Sequence, residues 1–159
     1  MYDKDLVGKK LTPRQYKKLM SKRKKQFNKL CKNFKIWDWE YMHDLLVFVV
    51  EWMKDFYCEN PESCCDEEWI KNRREEFENI LRLQRDYVEF DEAATNIFSL
   101  ATERVRKTTD INGIECQSMT IEVRDEDLER KSLDYQKSSN KAFVNFYKTI
   151  GENIRNWWD

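Results

Sequence analysis

Only three glycines and two prolines punctuate 159 residues. A sandwich or barrel of many strands needs a turn signal every 8–12 residues or so, and phosphate-cradling loops need clustered glycines. This chain supplies neither, so long helices joined by a few loops are the economical solution. Hydrophobic residues make up 40% and charged residues 37%, with nine Phe, seven Tyr and six Trp. That is too much apolar surface for a disordered polymer. The length suits one core. The sequence therefore predicts an all-α, compact helical bundle of about five helices over residues 1–159 as one domain. A lysine-rich helix near 12–34 forms an appended arm, and a loop or short β-hairpin is expected near 109–123.

The formal net charge of −1 conceals a segregation. Residues 1–37 hold 13 Lys/Arg against Asp3 and Asp5, whereas residues 38–159 hold 16 basic and 28 acidic residues. Two explanations stand side by side. The basic end attracts a polyanion, or it lies across the acidic remainder of its own chain or of a neighbouring subunit. The longest apolar run, Leu45 to Val50, falls far short of the ~20 residues that cross a bilayer, and no signal-peptide pattern follows Met1. A soluble cytosolic protein is expected. Five cysteines (Cys31, Cys58, Cys64, Cys65, Cys116) lack the spacing of a disulfide framework.

Periodicity places the elements. Thr12 and Pro13 announce the first helix, with Tyr16, Leu19, Met20, Phe27, Leu30, Cys31 and Phe34 on the packing side. Lys17, Lys18, Lys22, Arg23, Lys24, Lys25, Lys29 and Lys32 occupy the cationic remainder. Asp38 caps a second helix whose stripe is Met42, Leu45, Leu46, Val49, Trp52, Met53 and Phe56. Val47, Phe48 and Val50 widen that stripe, which predicts burial on more than one side, by this chain or by an oligomer partner. A third helix over 66–88, a fourth over 92–106 and a last one over 133–157 complete the set. Between them, Asn112-Gly113 is a hairpin-type turn, and Met119, Ile121 and Val123 alternate with polar neighbours.

Catalytic templates do not fit. One histidine excludes HExxH zinc chemistry, and GxSxG and GxxxxGK[ST] are absent. Cys58, Cys64 and Cys65 with His43 are a weak metal set, since adjacent cysteines rarely share one tetrahedral ion. As a nucleophile and base, Cys64 or Cys65 with His43 lacks any local sign of an oxyanion hole. Asp125, Glu126 and Asp127 read as a solvated helix start before an ion site. Trp37, Trp39, Trp157 and Trp158 are stacking platforms for bases or, alternatively, a cluster sealing the bundle. Arg73, Arg74, Arg82, Arg85 and Arg155 suit phosphate or simply form wet helix faces.

The string KIWDWEYMHDLLVFVVEWMKDF from Lys35 to Phe56, then RREEFENILRLQRDY from Arg73 to Tyr87, then FVNFYKTIGENIRNWWD resembles a widespread group of small bacteriophage proteins. Their pattern is a D[WY]xY…LL helix, an Arg-bearing helix ending in Asp-Tyr, and a helix finishing in WWD. The match covers roughly half of the chain. The resemblance extends to the anti-CBASS sponge proteins, which sequester cyclic dinucleotide immune signals such as 3′3′-cGAMP without cleaving them. It implies a non-enzymatic, cofactor-free and metal-free homo-oligomer, a tetramer by preference, in the host bacterial cytoplasm and off the membrane. By motif position it implies ligand contacts from Trp37, Trp39, Tyr41, His43, Arg73, Arg85, Trp157 and Trp158. The alternative is a nucleic-acid or acidic-protein binder acting through Lys17–Lys32. Twelve basic residues between Lys9 and Lys35, with no acid among them, track a phosphate backbone. A third reading makes the apolar face of the second helix a protein interface.

Overall fold

The computed structural model describes residues 11–32, 39–63, 65–111 and 114–157. Asp38, Phe34, Trp37, Cys64, Trp158 and the Asn112-Gly113 turn lie outside them. Among the described residues the chain is mostly helical, with one two-stranded antiparallel sheet. It divides into two compact units, Met1–Arg82 and Leu83–Asp159.

The first unit begins with α1 (Pro13–Lys32). Its start is a capping box: the Gln15 backbone N–H donates to Thr12 Oγ1 at 3.4 Å, while Thr12 N–H donates back to Gln15 Oε1 at 2.9 Å. Helix α2 (Trp39–Cys58) lies against it. Phe27 stacks on Phe48 at 5.9 Å and 26°, Trp52 closes the trio at 5.9 and 5.7 Å, and Tyr41 Oη donates to Leu30 O at 2.9 Å. A short loop folds around Pro61, where Asn60 Oδ1 accepts from Glu62 N–H at 3.0 Å. Asp66 then caps α3 (Glu67–Ala101) by accepting from Trp69 N–H at 2.7 Å. At the far end of α2, Cys58 Sγ donates to Ile70 O at 3.8 Å and Tyr57 meets Trp69 edge-on at 5.7 Å. Phe77, Ile80 and Val50 are completely buried.

The second unit is a helical hairpin carrying a ribbon. Helix α3 continues to Ala101, followed by β1 (Thr102–Ile111), β2 (Ile114–Val123) and α4 (Glu126–Asn153), which ends in a 3-10 turn, Ile154–Trp157. The strands pair from Thr102↔Val123 to Ile111↔Ile114. Ala101 O accepts from both Arg124 N–H (2.8 Å) and Asp125 N–H (3.3 Å), which pins the ribbon's base. Two buried serines, Ser132 and Ser139, donate to Ala94 O at 2.8 Å and Tyr87 O at 3.4 Å. Each partner falls seven residues from the last, so α3 and α4 run antiparallel in near-heptad register, with small residues where the backbones approach. Phe143 packs on Tyr87 at 5.2 Å.

Several expectations need correction. Four α-helices are present among the described residues, not five, because 66–88 and 92–106 are parts of one 35-residue helix. Between Val88 and Glu92 there is no glycine or proline, and although Asp91 is a capping residue type the helix runs straight through it, so nothing breaks the helix there. Residues 102–106 are strand, and the hairpin spans 102–123 instead of starting near 109. Val105 sits four residues from Ala101, which imitates helical spacing, but cross-strand pairing fixes it. The last helix starts at Glu126, seven residues before the expected start, because Asp125 accepts from Asp127 N–H at 3.0 Å and Leu128 N–H at 2.9 Å. No described helix is long and apolar enough to cross a membrane.

Candidate functional site

The strongest candidate is a groove of about 940 Å³ in the first unit, between α1 and the facing parts of α2 and α3. Arg14, Lys17, Lys18, Lys22 and Lys25 line it from α1, with Leu11 and Leu19 as its apolar floor. Lys54, Asp55, Glu59, Arg74 and Glu78 line it from the other side. The acids of that far wall are already engaged. Glu59 pairs with Arg74, whose Nη2 also donates to Cys58 O at 2.9 Å, and Glu78 pairs with Lys54 at 3.0 Å. The five α1 cations have no carboxylate partner among the described residues, and all are exposed. They therefore present a row of positive charge to the groove.

Asp55 is held from the opposite direction. Arg23, only 5% exposed, reaches it through Nε at 2.6 Å, reaches Glu51 Oε2 through Nη1 at 2.5 Å, and donates to Gln26 Oε1 at 3.1 Å. Burial pushes the Asp55 carboxyl above its ordinary range, and the Arg23 guanidinium works against that shift. The sequence pattern groups Arg23 with the cationic face; the structure moves it inside. Its position between Tyr16, Leu19, Met20 and Phe27, Leu30 is the signal that places it inward, since 16, 19, 20, 23, 26, 27 and 30 form one helical stripe.

The residues singled out by motif do not converge in the first unit. Tyr41 is buried with its hydroxyl on Leu30 O, and His43 is 5% exposed, its pKa lowered by burial against an opposing effect of Asp44. Arg73 stands at the other end of α2's neighbourhood, over the Trp69 ring at 5.3 Å and paired with Glu76 at 2.7 Å. Trp69 contacts Tyr57, sixteen residues along α2 from Tyr41, about 24 Å of helix. Trp39 is the first residue of α2. In the second unit Arg85 is exposed and Trp157 is 3% exposed. Trp37 and Trp158 lie outside the described residues.

Metal and nucleophile readings weaken on geometry. Cys58 and His43 are fifteen residues apart on one helix, about 22 Å. Burial pushes the Cys58 thiol up to about 11, which favours the protonated form over the thiolate that a ligand or nucleophile needs. Among the described residues no three His, Cys, Asp or Glu side chains gather as a metal site. Asp125 spends its carboxylate on capping α4. No protein-family model, curated protein or solved structure matches the chain.

Proposed function

We propose that the chain is a non-catalytic binding protein that holds a phosphate-bearing polyanion along the α1 groove, with a nucleic-acid strand as its ligand. The observation that carries this reading is the row of Arg14, Lys17, Lys18, Lys22 and Lys25, unpaired with any described carboxylate and lining one groove. From Arg14 to Lys25 the helix rises about 17 Å. The five cations can neutralise as many as five phosphates of a strand that follows the groove. A cyclic dinucleotide offers only two. The buried Arg23 supports the same arrangement, because it neutralises Asp55 and Glu51 from inside and spares the outer lysines that duty.

The second reading is the sponge for cyclic dinucleotide immune signals, carried by the phage-family resemblance. The observation in its favour is the groove's volume, about 940 Å³, which falls within the range of small-molecule sites. On this reading Arg74 and Lys54 form the back of the pocket, and the motif residues Tyr41, His43 and Arg73 act as packing elements.

Side-by-side calorimetric titrations of a 20-nucleotide single strand and of a panel of cyclic dinucleotides separate the two. Strand binding lost in the Lys18→Glu/Lys22→Glu/Lys25→Glu variant supports the first reading. Saturable binding of a cyclic dinucleotide, recovered intact after denaturation, supports the second. If neither ligand binds, both fall.

A further inference from the structure

A groove that distinguishes one base from another needs free acceptors and donors in fixed pairs, or a ring on which a base can lie. The α1 groove has its carboxylates and its one carboxamide oxygen already engaged. Gln15 Oε1 accepts from Thr12 N–H at 2.9 Å and from Thr12 Oγ1 at 2.8 Å, so the oxygen and nitrogen that together read adenine are not both free. Asp55 is held by Arg23, Glu59 by Arg74 and Glu78 by Lys54, which leaves the far wall balanced, acid against base. The Ser21 hydroxyl both donates and accepts, so it suits any base and selects none. No Phe, Tyr or Trp lines the groove among the described residues. What remains free is charge. Arg14, Lys18, Lys22 and Lys25 follow one another by four, four and three residues, a line of cations climbing in steps of about 4.5–6 Å, with Lys17 beside it.

We propose that the groove recognises a linear phosphate chain by its charge alone, so that inorganic polyphosphate occupies it on the same cations as a nucleic-acid strand. This rests on the reading that α1 holds a phosphate-bearing polyanion, and it names what is recognised: successive phosphates along a line, with sugars and bases left outside. The residue types suit that role. Four of the five cations are lysines, compact charges on flexible stems that follow phosphates at differing spacings, whereas a set of arginine forks would fix one geometry.

Competition on the full chain tests this, with direct calorimetric titration of each ligand alongside. A labelled oligothymidine is displaced by unlabelled oligothymidine, by oligoadenosine, by an abasic strand of the same length, or by long-chain inorganic polyphosphate. The three strands should fall within about threefold of one another, and polyphosphate should displace the label completely. Lys18→Glu/Lys22→Glu/Lys25→Glu should weaken all four ligands at least about tenfold. Lys24→Glu/Lys29→Glu reverses exposed α1 charges that do not line the groove, and it should change each affinity less than about threefold. A strand that binds but resists displacement by polyphosphate overturns the inference and leaves the strand reading intact. The same holds for an oligoadenosine at least about fivefold tighter than the abasic strand, the least that one stacked base contributes. Polyphosphate bound in calorimetry with no strand bound keeps the inference and removes the strand. Binding of neither removes both, and equal loss in the two variants takes the groove out of both.

Discussion

Arg23 decides whether α1 can sit on α2. A guanidinium taken out of water loses its hydration, and here Asp55, Glu51 and Gln26 replace it with hydrogen bonds. Removing one partner of such a group leaves the others buried without compensation. Arg23→Ala should therefore cost about 3–5 kcal/mol in urea unfolding, against less than about 1 kcal/mol for Lys24→Ala on the exposed side. The pH dependence follows from Asp55. Without Arg23 its carboxyl rises further, so the folded state keeps its proton more tightly than the unfolded one, and stability declines as pH rises through that window. The Arg23→Ala penalty should be smaller at pH 5 than at pH 8. Cys58 follows the same sign: with its thiol pushed up to about 11, the fold loses stability as pH climbs from about 9 towards 11. At pH 8, iodoacetamide should label the exposed Cys31 and Cys116 promptly and Cys58 only after denaturation, as read by peptide mass spectrometry.

At the scale of elements, the α3–α4 hairpin depends on small side chains. Ser139 is 1% exposed, and its hydroxyl already spans the gap to Tyr87 O, so there is no room for a branched isobutyl group. Ser139→Leu should destabilise by about 1–3 kcal/mol through overpacking. Gly151 behaves in the opposite way. It lies in α4, and a Cβ there would meet nothing within 4 Å. Gly151→Ala should raise stability by about 0.5–1 kcal/mol, measurable as a higher Tm. The helices themselves were legible in the sequence because Thr12, Pro13 and a 3.6-residue period specify them locally. The union of the third and fourth helices was not, because Asp91 before Glu92 imitates the cap of a new helix while the segment contains no helix-breaking residue. The ribbon's full extent was hidden for a related reason. Thr102 to Arg106 become strand through pairing with 119–123, a relation set by Ala101 O and the register of the partner strand and not by any property of the five residues alone.

At the scale of the whole molecule, the charge segregation is the feature that reading residues in order does expose. Thirteen basic residues in the first 37 announce a cationic end, and the open alternatives were a polyanion outside the chain or the acids within it. The structure divides the cations: Arg23 takes up Asp55 and Glu51, while Arg14, Lys17, Lys18, Lys22 and Lys25 line the groove without a carboxylate partner among the described residues. Sequence pattern alone could not make that division, because every one of these cations looks alike until the inward stripe of α1 is matched to α2. The aromatic constellation was harder still. Motif order links Trp39, Tyr41, Arg73 and Trp157, whereas packing in the first unit separates Tyr41 from Arg73 by most of the length of α2.

The most direct measurement is the anisotropy of a labelled 12-nucleotide single strand titrated with the full chain between 50 and 300 mM salt. Five phosphate contacts predict a plot of log K against log salt with a slope of about −3.5, and its disappearance in the Lys18→Glu/Lys22→Glu/Lys25→Glu variant. Absence of binding at 50 mM salt, or equal binding by that variant, would contradict a polyanion site on α1.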